Sequence, residues 1–414
     1  MTPTRASLLA IVAAFSSGAV ASPGADLVVR GATVHTMAGE PIEEGVVVID
    51  DGLIAAVGRE SEVTIPEGVR IVSAAVVIPG LIDARSVVGL SGIDNQRQDQ
   101  DQLEGSEPVQ PELRAIDAFN PTDPLVAWVR GFGVTTLHTG HAPGAVISGQ
   151  TLLAKTAGGA NGGARVLVAR AMVAATLGEG ALAEGGEQKV PGTRSKAVAL
   201  LRQQLLDARA YAERRERSAG DDEGPREGRN LRHEALARVL DGQMPLLVTA
   251  HRHHDISAAL RLAKEFDVRL VLDGAAESYV VLDEIAAARA PVLIHPTMKR
   301  AYGEAENLAF DTASNLAEAG IPLALQSGYE SYVPKTRVVL FEAAVAAANG
   351  LGRERALESI TIGAARILGI DDQIGSLEPG KAADVALFDG DPFEYTSHCV
   401  GVIVDGDLVS EESR

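Results

Sequence analysis

Histidines dominate the residues able to do chemistry in this chain, and most stand at or just past the ends of short apolar runs: His138 and His141, then His251, His253 and His254, then His295. Imidazole nitrogens there can ligate a metal or carry a proton. His251 and His253 lie two residues apart, so both face one side if the strand end stays extended. Asp273 ends the run Leu270-Val271-Leu272 and adds a carboxylate. Three or four imidazoles and one carboxylate can build a mononuclear zinc-type site with one position open for water. His251, His138 and His295 are its candidate ligands; the bland alternative is that each caps a strand or packs against a loop. Ser148 and Gln150, in Gly144 to Gln150, read as loop residues lining the same cavity. No dinucleotide or Walker glycine spacing and no Gly-x-Ser-x-Gly elbow occurs. Cys399 is the sole cysteine, which excludes an internal disulfide and a cysteine zinc cluster.

The elements that must hold these groups alternate in type. From Asp26 to Val77, short β-branched runs (Leu27 to Val29, Gly45 to Ile49, Leu53 to Val57, Arg70 to Val72) are punctuated by Asp51-Gly52 and Pro66-Glu67-Gly68. The pattern returns at Ala383 to Phe388, Val400 to Val404 and Leu408-Val409, with a turn at Asp405-Gly406. This predicts a small β-sandwich built from both ends of the chain, over 22–76 and 376–414. Between them, over 77–375, strands are expected at Val76 to Asp83, Val134 to His138, Arg165 to Ala169, Leu246 to Ala250, Arg269 to Leu272, Pro291 to His295 and Pro322 to Gln326. Helices are expected at Asp255 to Phe266, with Asp255 as N-cap, at Val280 to Ala288 and at Lys335 to Ala348. An eighth strand at Gln150 to Lys155 completes an α/β, (β/α)8 TIM-type barrel whose strand ends share one mouth. Tyr211 to Asn230 reads as a helix end and an exposed, mobile loop.

Composition narrows the partners. The chain has 414 residues and a formal charge of −19, which disfavours nucleic acid and anionic membranes. Aromatic residues are only 4%, too few for a base-stacking platform. Arg5, the apolar stretch Leu8 to Phe15 and Ala19-Val20-Ala21 read as a signal peptide over 1–21, so a periplasmic or secreted protein is expected, with no membrane insertion after its removal. The expected partner is a small-molecule ligand, with homo- or hetero-oligomer formation open.

Val77-Ile78-Pro79-Gly80-Leu81-Ile82-Asp83-Ala84, Gly133-Val134-Thr135-Thr136, Thr361 to Gly369 and Gly375-Ser376-Leu377-Glu378-Pro379-Gly380-Lys381-Ala382-Ala383-Asp384 resemble, in order and spacing, the landmarks of the metal-dependent amidohydrolase superfamily, in its imidazolonepropionase-like branch. The resemblance implies a hydrolase of C–N bonds using one or two divalent metals. Its two His places after the first strand are filled here by Arg85 and Val87. No lysine or glutamate stands in Val168 to Thr176, His251 keeps its place, Asp273 replaces a histidine, and Gly328 stands where the general-base aspartate belongs. The resemblance also makes the long polar segment Ser91 to Phe119 a lid or an exposed insertion. Arg85, Asp273, Ser148, Gln150, Arg252 and Ser327 are the pocket-lining candidates, with Arg170 and Lys155 expected near the mouth. A guanidinium–carboxylate contact between Arg85 and Asp273 is expected to fill the vacated metal position. No cofactor is fixed by these residues; one divalent metal such as zinc is the candidate. Three readings follow: an exported hydrolase of a non-peptide C–N bond with a reduced or rearranged site, a pseudoenzyme that binds a small molecule, or a structural subunit paired with an intact relative.

Overall fold

The computed structural model describes residues 25–94, 96–182, 191–219, 227–329 and 338–414. The signal-peptide segment lies outside the described residues. So do the middle of the charged run at 220–226 and the start of the helix expected from Lys335.

The chain begins with β1 (Leu27–Val34), β2 (Ile42–Asp50), β3 (Leu53–Arg59) and β4 (Arg70–Pro79). Neighbouring residues alternate between two apolar clusters: Val28, Val46 and Val48 in one, Val29, Val47 and Ile49 in the other. This is the period of two that a strand imposes. The Asp51-Gly52 turn takes φ of 49° and 74°, two successive left-handed residues whose twist suits a tight hairpin.

The middle opens with β5 (Leu81–Ser86), α1 (Pro124–Arg130), β6 (Val134–Thr139), β7 (Ile147–Gln150), β8 (Leu152–Gly158), β9 (Ala164–Val168) and β10 (Val173–Thr176). α1 starts with Pro124 in its first turn and the Asp123 carboxylate accepting from the Leu125 N–H at 2.9 Å, two standard helix-start devices. Next come α2 (Arg194–Ala219), α3 (Leu231–Leu240), β11 (Leu246–Ala250), α4 (His253–Phe266) and β12 (Leu270–Gly274). They are followed by α5 (Leu282–Ala288), β13 (Val292–Ile294), α6 (Thr312–Glu318) and β14 (Leu323–Ala324). The chain finishes with α7 (Val339–Ala346), α8 (Arg353–Ser359), α9 (Ile362–Leu368), β15 (Val385–Phe388), β16 (Cys399–Val404) and β17 (Asp407–Ser410).

These strands form a mixed α/β fold with three sheets. The two β-rich ends meet in one seven-stranded sheet, in the order β17-β16-β15-β4-β1-β2-β3. β10 to β14 run parallel to one another in a six-stranded sheet, so the segments after them emerge at one end. β5 and β6 are parallel in a four-stranded sheet. Backbone bonds connect the latter two sheets, from Ala84 N–H to the Leu325 carbonyl (3.3 Å) and from Thr151 N–H to the Met172 carbonyl (2.9 Å).

Several expectations are corrected in this region. The strand expected near Gln150 to Lys155 exists as β8, but it runs antiparallel to β6 and β9. The strand expected at Arg165 to Ala169 is β9, and the parallel neighbour of β11 is β10 instead. Residues 147–150 are a buried strand rather than a loop. Short connections after Gly158, whose φ is 82°, and around Arg170 fold the chain back here. Consecutive strands therefore pair antiparallel where helices were expected to intervene.

One buried ion cluster joins the seven-stranded sheet to the four-stranded one. Lys155, on β8, is 2% exposed and its ammonium contacts Asp384 Oδ1 at 2.9 Å. It also contacts Asp405, which Arg165 reaches from β9. Lys155 therefore does not sit at the mouth. Burial raises the Asp384 carboxyl despite Lys155. Burial also acts on Asp405, but bonds from Lys155 and Arg165 outweigh it and lower that carboxyl. Removing one member of a buried pair typically costs about 3–5 kcal/mol, because the other charge stays buried. Lys155→Ala is therefore expected to lower the unfolding free energy by about that much, and Lys155→Met with Asp384→Asn by clearly less. Urea unfolding of the three proteins checks this; equal losses in both variants would show that the charges are not coupled.

Candidate functional site

Where the parallel strands end, Arg85, His251, Asp273 and Gly328 converge on one small cavity of ≈ 40 Å³, bordered also by His295 and Lys299. Arg85 lies at the end of β5, His251 follows β11, Asp273 lies on β12, and Gly328 follows β14. A second bond set pulls β5 against the segment beyond β14. Gly328 N–H donates to the Arg85 carbonyl at 3.0 Å, and Ser327 N–H donates to Asp83 Oδ1 at 2.9 Å. The Ser327 hydroxyl donates to the other Asp83 oxygen. Ser327 is thus the clamp on Asp83, a residue that the sequence presents only as part of a strand motif.

Asp273 is held on both oxygens, by the Thr249 hydroxyl at 2.5 Å and the Gln326 side-chain amide at 2.6 Å. The expected Arg85–Asp273 contact does not form. The buried Arg85 guanidinium donates instead to the backbone carbonyls of His141 and Ser86. The geometry explains the outcome: Thr249 and Gln326 already occupy the carboxylate, and the carbonyls after β6 and within β5 lie in the guanidinium's reach. Burial lowers the Arg85 pKa below its ordinary value, while Asp273 and Asp83 act in the opposite sense.

The histidines separate into distinct roles. His138 is fully buried with both ring nitrogens bonded at 2.7 Å, to the Ala84 carbonyl and the Thr151 hydroxyl. His295 borders the cavity, but its nitrogens contact the Pro296 carbonyl (3.1 Å) and the Thr312 hydroxyl (3.4 Å). His251 Nε2 is 3.4 Å from the Lys299 ammonium, and its Nδ1 is buried without a hydrogen-bond partner among the described residues. Among the described residues, no group of three or more His, Cys, Asp or Glu is placed to hold a metal ion. His253 does not share a strand face with His251, because α4 begins at His253. Asp255 is likewise inside the first turn rather than the N-cap, and it accepts from Arg194 Nε at 3.1 Å.

The remaining candidates lie elsewhere. Arg252 pairs with Glu277 at 2.9 Å and Glu306 at 2.8 Å. Burial would raise Glu277, yet bonds from Asn307, His253 and Arg252 bring it down to about 2. Arg252 therefore anchors the turn after β12 instead of facing the cavity. Ser148 is buried on β7, its hydroxyl without a hydrogen-bond partner among the described residues. Gln150 donates to the Pro111 carbonyl at 2.8 Å and borders, with Arg170, a different cavity of ≈ 410 Å³. Gln102, in the long polar segment, donates to the Tyr329 hydroxyl at 3.3 Å, and Tyr329 borders the strand-end cavity. No local sequence signal marks Lys299, Tyr329 or Thr249 as cavity residues; the first two lie beyond the strand ends, where no motif points.

Burial lowers the buried histidines. His138 falls to about 3, by burial and the neighbouring Arg85. His141 falls to about 4 for the same two reasons, and His295 to about 4 by burial, with Lys299 adding to it. A folded pKa below the ordinary value of about 6.5 means that unfolded chains take up protons first. The stabilisation is complete above pH about 6.5 and is lost as pH falls toward 4, on the order of 1–2 kcal/mol for each histidine at pH about 5. Urea midpoints should therefore fall between pH 7.5 and 5.0, with a smaller fall in His138→Asn. An unchanged fall in the variant would assign the effect to other groups.

Comparison with known proteins accords with this layout. The model of the amidohydrolase family matches residues 310–409. An amidohydrolase from Hapsidospora irregularis, tasK, is 26% identical over 396 residues, 87% of this chain and 39% of that protein. Imidazolonepropionase from Fusobacterium nucleatum is 32% identical over 91 residues, 22% of this chain and 22% of the enzyme. This chain thus spans well under half the length of either relative. The structure of an amidohydrolase from Thermotoga maritima superposes with a TM-score of 0.85 at 26% identity, over 93% of this chain and 100% of that one. Residues 310–409 thus match the amidohydrolase family, and over 93% of the chain the fold is similar to that of the Thermotoga amidohydrolase.

Proposed function

We propose that this chain is an exported amidohydrolase-family protein whose strand-end pocket binds a small molecule without metal-activated water. In this reading the middle strands close as a (β/α)8 barrel and the seven-stranded sheet curls into the composite sandwich. One observation carries the functional reading: the position of the family's first histidine ligand is taken by Arg85, a buried guanidinium bordering the cavity. A guanidinium has no lone pair to give a metal. A divalent ion about 5 Å from it would meet about 7 kcal/mol of repulsion at an effective dielectric of about 20. The donor set does not offset this. Val87 has no donor atom, Gly328 has no side chain, and His138 has both nitrogens in use. The residues present therefore do not fit the family's metals.

A second reading is a hydrolase of a non-peptide C–N bond working through a reduced site. The favouring observation is the similarity to the Thermotoga amidohydrolase across 93% of this chain. Metal content separates the two. Protein purified without added metal is expected to carry far less than one equivalent of zinc, manganese or nickel, and chelation to leave its melting temperature unchanged. Near one ion per chain, lost in His251→Ala together with amide hydrolysis, would establish the hydrolase reading.

A further inference from the structure

The cavity at the strand ends is built around a cation that has no ion-pair contact among the described residues. Arg85 is 3% exposed, and the only hydrogen bonds of its guanidinium among the described residues go to two backbone carbonyls. Neutral carbonyls accept hydrogen bonds but do not neutralise the charge. A buried cation left this way is costly unless a counter-charge accompanies it. Asp273, which also borders the cavity, and Asp83 act on Arg85 through space, but neither carboxylate contacts the guanidinium. Asp273 has its oxygens engaged by Thr249 and Gln326, and Asp83 has both oxygens engaged by Ser327.

A second cation borders the same space. Lys299 comes from the segment after β13, with its ammonium against the neutral His251 ring. Thus two positive side chains, from different strand ends, border a cavity of ≈ 40 Å³. That volume accommodates a water or two, or a group of a few heavy atoms, but not a drug-sized molecule, whose pockets run to about 300–1,000 Å³.

We propose that this cavity binds a carboxylate group, bidentate on Arg85 and flanked by Lys299, in the position where the family places its metal. The proposal rests on the metal-free reading above and names the ligand chemistry of that pocket. A planar guanidinium matches a carboxylate fork in geometry as well as charge. The small volume selects a free one- or two-carbon acid or the carboxylate end of a larger one. Fixed cations here do for an anionic group what a bound ion does for a carbonyl oxygen: they hold it by charge at a defined point. The charge of the whole chain, −19, makes such a local positive site conspicuous, since the surrounding field does not favour anions.

Full-length mature protein, treated with chelator in a buffer free of carboxylates and phosphate, would be titrated with formate, acetate and inorganic phosphate by calorimetry and thermal shift. The expected result is saturable binding of formate or acetate near one per chain, weakened at least tenfold in Arg85→Met and partly restored in Arg85→Lys. Arg366→Met, remote from the cavity, is expected to bind like the wild type. Replacing a buried charge by a side chain of similar volume is often tolerated, and a circular dichroism spectrum checks that the variant is folded. Three results overturn the proposal: no carboxylate binding to the wild type, binding unchanged in Arg85→Met, or binding of phosphate alone. Each leaves the metal-free reading standing. Stoichiometric zinc binding abolished by His251→Ala would instead remove that reading, and the proposal with it.

Discussion

The structure depends on the buried contact of Lys155 with Asp384 and Asp405. Asp384 ends the Pro-Gly-Lys-Ala-Ala-Asp motif that returns the chain to the terminal sheet, and Lys155 belongs to the four-stranded sheet of the middle. The two sheets carry opposite charges into one seam, where Lys155 and Asp384 are both buried against each other. Around that seam the packing is apolar, with Phe388, Val402 and Val404 in the same cluster as Val134 and Leu137. Dispersion and burial supply most of the cohesion, but they are indifferent to register. The ionic contact is directional, and it fixes which residues of the two sheets face each other.

At the other end of the same strands, the chemistry is set by what the strand ends present. β11, β12 and β13 are parallel and hydrogen-bonded in register, with Thr249 opposite Asp273 and Asp273 opposite Leu293. That register puts the Thr249 hydroxyl on the Asp273 carboxylate and brings His251 and His295 to the ends of the strands on either side of β12. The pocket is therefore a by-product of parallel pairing, filled by whichever side chains the sequence places there. In this chain they include a guanidinium, an ammonium and rings that burial keeps neutral.

Much of the fold is legible in the sequence. The alternation of apolar residues in β1 to β3, the Asp-Gly turns and the family landmarks locate both halves of the seven-stranded sheet, because hydrophobic period and turn chemistry are local properties. The convergence of Arg85, His251, Asp273 and Gly328 is legible too, since parallel strands deliver their ends to one place. Pairing direction is not. β8 and β9 have the same apolar character whether parallel or antiparallel, so their residues cannot show that β8 folds back on β6 and β9 on β8. Side-chain partners are equally hidden: nothing local to Asp273 says that Thr249 and Gln326 reach it before Arg85 does. Lys155 reads as a mouth residue for the same reason, because the direction of its strand is invisible in its own neighbourhood.

The order of strands in the terminal sheet has a consequence for synthesis. β4 lies between β1 and β15, and β15 begins only at Val385. As the chain leaves the ribosome, one edge of β4 must wait, unpaired, until β15 emerges, with Val77 and Ile78 awaiting cover. An open apolar edge invites pairing with any other extended segment. A chain cut before β15 would carry that sticky edge permanently, so quality control of this protein should act on whether β15 has paired with β4.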